Sequence, residues 1–443
     1  MLLSLYRACS AGAAPLAPSF LLWRAKLRRG RLRPEDRLRV NERLGRPSAA
    51  RPQGRLAWLH GRGGADVATL LPLINRLAEA GYAVLATTRD DRSPPPRLPP
   101  MALHQFAPLD APQFVARFLA FWRPDVTLIA GSEFWPNLIG ETCRRAIPIA
   151  AVNARLSARA FLFWRKIPGA ARSLIGGLDQ CLTASAADNQ RFQWLGVSKA
   201  RTVGDTVYDF APPPPDATSL ARLVAGIGAR PAWAAFPADG AEEDAVIEAH
   251  RKIARNFQNL LTIVAPRNAK RCFDIAQRAR RLKLDARVVA PTERDDAALP
   301  AILAVGAVEP GLLCRAAGVI FLGKSLDPPF SKSPGPSARG GLNPIEAAKL
   351  GCAIMHGPEI GDFADAYAAL NAAGGCAVVY DAETLASEVS MLLLDSAEMR
   401  DMGRAAAAAV DRLGGASSRI MQAIAPYLAH RFVRPGIEDA TEI

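Results

Sequence analysis

The stretch WLHGRGGADV, Trp58 to Val67, crowds a histidine, an arginine and a carboxylate (His60, Arg62 and Asp66) around three glycines. An aspartate at the start of a helix keeps its charge in the field of the helix dipole and can either cap the helix or serve as a base. Glu133, in GSEFWPN, has the same two readings: a catalytic carboxylate at a strand's carboxyl end, or a partner for the next helix dipole. Farther along, Arg267 in IVAPRNAKR ends an apolar run, where a basic side chain could meet an anion. In GGLNPIEAAKLG, Gly340 and Gly341 permit close backbone approach, and the helix start that follows offers free N–H groups to a phosphate. Asn343 and Glu346 lie three apart there, and could face one ligand such as ribose hydroxyls. The alternative is a capping box, with Asn343 at the N-cap and Glu346 at the third helical position.

The elements that must hold these residues alternate in type. After residue 54, RLAWLHG, YAVLATT, DVTLIAG, IPIAAVNA, DQCLTAS and ARTVGD read as strands with helical segments between them. APPPPD, Ala211 to Asp216, interrupts the series as a stiff linker. A second series follows: LLTIVAP, ARVVAP, AILAVG, VIFLGKSL, CAIMHGP and CAVVYD. The pattern predicts an α/β chain of two doubly wound, Rossmann-like domains with a ligand cleft between the carboxyl ends of their sheets. The expected division is an N-terminal arm over 1–46, a first α/β domain over 47–210, a linker over 211–217, a second α/β domain over 218–430 and a tail over 431–443. The helix SSRIMQAIAPYLAH could also pack back on the first domain.

With 443 residues, half of them hydrophobic, the chain can bury two cores. Its net charge of +13 favours anionic partners. No basic–aromatic surface motif points to nucleic acid, so no nucleic-acid partner is expected. Seven scattered cysteines without a CxxC pair and only five histidines argue against a metal site and for a reducing, cytosol-facing compartment. The first 23 residues are apolar but broken by Arg7 and two prolines, and ten Lys/Arg follow between Arg24 and Arg46. That arrangement suits a monotopic anchor with a basic collar on anionic lipid better than a spanning helix.

WLHGRGGADVATLLPLI, SEFWPNLI, VNARLSARA, RFQWLGV, VGDTVYDFAPPP, AEEDAVIEAHR, APRNAKR, GLLCRAAGVIFLGKSL and GGLNPIEAAKLG occur in this order. Together they resemble the Kdo (3-deoxy-D-manno-octulosonic acid) transferases of lipopolysaccharide synthesis, from about Glu42 to about residue 380. The resemblance implies a GT-B glycosyltransferase on the cytoplasmic face of the bacterial inner membrane. It would move Kdo from the donor CMP-Kdo to a lipid A precursor, with inversion, and with no metal or other cofactor. Its partners would be the CMP-sugar, the lipid A precursor and the anionic membrane surface. Carried over by position, the CMP-binding residues are Pro266 and Arg267, then Ala307, Val308 and Glu309, then Asn343, Pro344, Ile345 and Glu346. Glu133 matches an acidic residue that assists the transition state, and Asp66 stands where the family's general base is a Glu. Among the departures, a family Lys is Val207, STHxGEE reads PADGAEE (Pro237 to Glu243), and FVGGSL reads FLGKSL, with Lys324 in place of the second Gly. These departures leave open an altered donor or acceptor, or an inactive membrane-associated paralogue acting as a scaffold.

Overall fold

The computed structural model describes residues 2–29, 34–89, 98–289, 299–306, 308–326 and 340–429. The proline loops at 90–97 and 327–339, Ala307 and the tail from residue 430 lie outside the described residues. The chain folds as two compact units: residues up to Asp209 together with those from Gly414 on, and Phe210–Leu413.

The first unit is built on one parallel sheet of β1 (Leu56–Gly61), β2 (Ala83–Thr88), β3 (Ala102–Phe106), β4 (Val126–Ala130), β5 (Ile149–Ala154), β6 (Gln180–Thr183) and β7 (Ala200–Thr202). Their order is β3-β2-β1-β4-β5-β6-β7, so the winding direction reverses between β1 and β4. Every residue of β1, β2, β4 and β5 is buried, as a sheet covered on both faces requires. Trp58, Phe118 and Trp122 pack on one face, and Leu59, Val67, Leu73 and Ile74 on the other. The second unit repeats the plan with β8 (Ala232–Phe236), β9 (Leu261–Val264), β10 (Ala286–Val289), β11 (Ile302–Val305), β12 (Val319–Leu322), β13 (Ala353–His356) and β14 (Cys376–Val378). Its order is β10-β11-β9-β8-β12-β13-β14, all parallel, with the reversal between β8 and β12. The two sheets are the two doubly wound domains that the strand–helix alternation predicts.

Three local readings are corrected. ADVATLLPLINRLAEAG is not one helix: Pro72 lacks an N–H to donate into the preceding turn, and the helix divides into Gly64–Thr69 and Leu71–Glu79. The second boundary at 430 falls instead at Leu413, because the helix Ala416–Ala429 buries Ile420, Ala423, Ile424 and Leu428 in the first unit. Burying the two isoleucines and the leucine contributes about 1.5–3 kcal/mol each, so the chain crosses between the units twice rather than once. Where it returns, Asp209 accepts the N–H groups of Gly415 and Ser417 at 2.5 Å each.

Residues 1–46 are the third correction, since their described part is built into the first unit. The apolar run breaks at Ala14–Leu16 into the helices Leu2–Ala13 and Ala17–Arg29. Tyr6 donates to Asp110 at 2.9 Å, Asn137 donates to Ser10 at 2.9 Å, and Arg7 pairs with Glu141 at 3.1 Å. A third helix, Pro34–Arg43, places Glu42 to accept the Phe106 N–H at 2.8 Å, while Val40 and Leu44 pack on Phe114. No helix among the described residues is long and apolar enough to cross a membrane.

Candidate functional site

Ligands of open α/β sheets bind outside the carboxyl ends of the strands flanking the reversal. In the first unit those strands are β1 and β4, and the two candidate carboxylates follow them directly: Asp66 after β1 and Glu133 after β4. Asp66 occupies the third position of the helix Gly64–Thr69, whose N-cap is Gly63 with no side-chain bond. One carboxylate oxygen accepts the Arg62 N–H at 2.8 Å and so closes the glycine-rich turn. Its other oxygen makes no hydrogen bond among the described residues. A Cβ on Gly61 would come within 3.2 Å of the Asp66 Cβ and 3.7 Å of the Ala130 Cβ, so the missing side chain lets turn and strand close up. The turn is therefore both a corner and a carboxylate holder.

Glu133 is 12 % exposed and accepts the Trp135 indole N–H at 2.9 Å. Arg89, which follows β2, lies 3.8 Å from the same carboxylate and stacks over the Trp135 ring at 5.5 Å. The Arg89 N–H donates to the Gly61 and Arg62 carbonyls, which anchors this cation to the Asp66 turn. Beneath lies His60, buried, its Nδ1 3.0 Å from the Thr87 hydroxyl, which also accepts from Trp58. Burial, with lesser contributions from Arg43 and Arg89, lowers the His60 pKa to about 4, so the imidazole is neutral at pH 7. Nothing local marks Arg89: it sits at the end of an apolar run and before a proline loop, where a solvated side chain is the ordinary expectation.

In the second unit the candidates follow β9, β11 and β12. Pro266, Pro344 and Ile345 turn their side chains into the core, leaving Arg267, Glu309 and Asn343 exposed and Glu346 half-buried. Val308 is partly exposed, and Ala307 lies outside the described residues. The capping box does not form. Asn343 accepts the Ile345 N–H at 3.0 Å, but the N-cap is Pro344, so Glu346 is only the second helical residue. Instead Glu346 faces the helix Pro310–Ala317, where a Cβ on Gly311 would stand 2.5 Å from its Oε1 and 2.8 Å from Arg315 Nη1. Burial raises the Glu346 pKa, Arg315 opposes the rise and Glu309 adds to it, so these three charges share one neighbourhood. Glu309, at the N-cap of that helix, makes no side-chain cap bond. The helix at Ile345–Lys349 has only five residues, too short for the strong N-terminal field that the sequence suggests.

PADGAEE carries an arrangement the sequence does not disclose. Glu242, 3 % exposed, accepts four backbone N–H groups: Ala238 at 2.7 Å, Lys324 at 2.8 Å, Ser325 at 2.9 Å and Leu326 at 3.2 Å. It therefore ties the end of β8 to the end of β12 across the second reversal. Its neighbour Glu243 is fully buried and paired with Arg271 and Arg278.

Residues 38–210 match the family described as 3-deoxy-D-manno-octulosonic-acid transferase (kdotransferase). These residues, most of the first unit, form a Kdo transferase family domain. The chain is 28% identical over 413 residues to the probable mitochondrial 3-deoxy-D-manno-octulosonic acid transferase of Arabidopsis thaliana, covering 89% of this chain and 88% of that one. It is likewise 28% identical over 430 residues to the 3-deoxy-D-manno-octulosonic acid transferase of Bordetella pertussis, covering 93% and 97%. Among solved structures, the UDP-GlcNAc 2-epimerase of Neisseria meningitidis aligns with a TM-score of 0.51 at 13% identity, over 84% of this chain and 100% of that one; this likeness is one of fold.

Proposed function

We propose that this protein is an active glycosyltransferase that moves Kdo from CMP-Kdo to a lipid A precursor at an anionic membrane surface. The observation that carries the reading is the pair of carboxylates, Asp66 and Glu133, on the strands β1 and β4 that flank the first reversal. Asp66 takes the proton from the acceptor hydroxyl as that oxygen attacks the anomeric carbon, and CMP departs from the opposite face, giving inversion. Its Arg62 N–H bond keeps the carboxylate oriented. Glu133, backed by Arg89 and Trp135, supplies negative charge beside the developing positive charge at the anomeric centre. In the second unit, Glu346 and Asn343 hold the ribose, Val308 and Glu309 border the base, and Pro266–Arg267 meet the phosphate side. No metal is assigned a role in this scheme.

Asp is one methylene shorter than Glu, and a base must reach its proton directly or through one water, so transfer is expected to be slow. The test compares Asp66→Asn and Asp66→Glu in transfer from CMP-Kdo to a lipid A precursor. Asn preserves an oxygen for the Arg62 N–H and so the turn, yet it should abolish transfer while leaving CMP binding intact. Glu should preserve or raise transfer. Transfer that survives in Asp66→Asn removes Asp66 from the mechanism, and a parent protein inert with this donor and acceptor overturns the function.

A further inference from the structure

The second reversal, between β8 and β12, is where an anionic ligand of this unit would be met, and the usual receptor there is a set of free backbone N–H groups. Here those donors are already used. The N–H groups of Lys324, Ser325 and Leu326 all go to Glu242, those of Gly340 and Gly341 to the Lys324 carbonyl at 3.1 and 2.9 Å, and that of Leu342 to the Gly323 carbonyl at 3.1 Å. With these N–H groups committed, a side chain can meet an arriving anion in their place.

Lys324 is the cation standing at that point. Its backbone is left-handed, with φ of +62°, a conformation that favours glycine and is costly for a lysine. Its stem is largely covered, at 13 % exposure, and its ammonium is paired with Asp362, which is 51 % exposed. The Asp362 N–H donates to the Gly340 carbonyl at 2.8 Å, and a Cβ on Gly340 would stand 2.5 Å from the Asp362 Cγ. The pair thus lies directly beside the GGLNPIE segment that carries Asn343 and Glu346. A half-exposed ion pair is weak in water, so exchanging its partner costs little.

We propose that Lys324 is a second phosphate-recognising cation of the nucleotide site, in addition to Arg267, held by Asp362 until a nucleoside monophosphate ester displaces that carboxylate. The inference rests on the CMP-sugar reading above. Lysine acts here as a mobile point charge, needing only stem rotation to move from one anion to another.

Calorimetry of CMP and of cytidine binding to the full chain tests this with three variants. Lys324→Met should weaken CMP by about tenfold or more, the loss of one charge-assisted contact, while cytidine affinity stays unchanged. Lys324→Gly, which suits the left-handed backbone and secures folding, should show the same selective loss. Asp362→Asn should tighten CMP, because it frees the ammonium. If Lys324→Met and Asp362→Asn weaken CMP equally, the pair is only a loop latch and the proposal fails. It also fails if the lysine variants bind CMP as the parent does. A parent that binds neither CMP nor cytidine overturns the nucleotide reading itself, and the role of Lys324 with it.

Discussion

Replacing Glu242 by Gln should unfold the second unit far more easily than a one-atom change suggests. The carboxylate uses each oxygen twice: Oε2 for the Ala238 and Lys324 N–H groups, Oε1 for those of Ser325 and Leu326. An amide keeps one accepting oxygen and turns its NH2 toward the other two donors. Two buried N–H groups then go unsatisfied at about 1–3 kcal/mol each, and the two surviving bonds lose their charge assistance. The sum is about 3–6 kcal/mol, which for a unit of this size lowers the melting temperature by roughly 10 °C or more. The site leaves no room for relief, since a Cβ on Gly323 would already stand 2.3 Å from Glu242 Oε2. Gly323→Ala should therefore destabilise as well, and combining it with Glu242→Ala, which removes the clashing carboxylate, should cost less than the two changes summed. Differential scanning calorimetry of these variants, with Glu309→Gln as an exposed control, measures all of this. A Glu242→Gln protein within about 1 kcal/mol of the parent would refute the argument, because the four N–H groups would then have found other partners.

Two further outcomes are expected. Leu5, Phe20, Trp23 and Leu27 are 53–64 % exposed on the first two helices, and Leu16 is 72 % exposed at the break between them, so Phe20→Asp with Trp23→Asp should abolish flotation with anionic vesicles; unchanged flotation would mean that charge alone holds the protein to lipid. Deleting residues 1–46 is the poorer test, because it also removes the Tyr6–Asp110 and Glu42–Phe106 bonds. Acid should destabilise the fold. Burial lowers His60, His104 and His250 to about 4 and lowers His356 as well, so the folded chain binds fewer protons than the unfolded chain between pH 6.5 and about 4. That contribution is complete above pH 6.5 and is lost as pH falls toward 4, at about 3 kcal/mol for fully buried His60. The raised carboxyls of Asp110 and Glu346 act in the opposite sense. A melting temperature unchanged between pH 7.5 and pH 5 contradicts this reading.

The strands that hold the candidate carboxylates were legible because parallel, doubly covered strands read as short runs of Val, Ile and Leu. β8 was not, because AWAAF is mostly alanine and becomes a strand only through pairing with β9 and β12 on its two sides. β3 was missed for a related reason: ALHQF mixes polar with apolar residues and pairs only with β2, at the sheet's edge. Asp66 and Glu133 could be placed from local sequence, since each follows its own strand. What stands around them could not, because Arg89 reaches Glu133 from another strand, and Glu242 finds its partners at Lys324 to Leu326, more than eighty residues away.

Adjacent Glu242 and Glu243 show how one short motif divides its work. The first helical turn points one carboxylate at backbone N–H groups and the other at two guanidinium groups, and neither is left for a ligand. The departures at PADG and GKS lie around this pair without breaking it, since the Ala238 and Lys324 contacts use main-chain atoms, which the substitutions leave in place. What changes is the side chain presented outward from that frame, above all the ammonium at position 324. The second unit thus sets Lys324, proposed above to meet an anion, on a backbone frame held by Glu242.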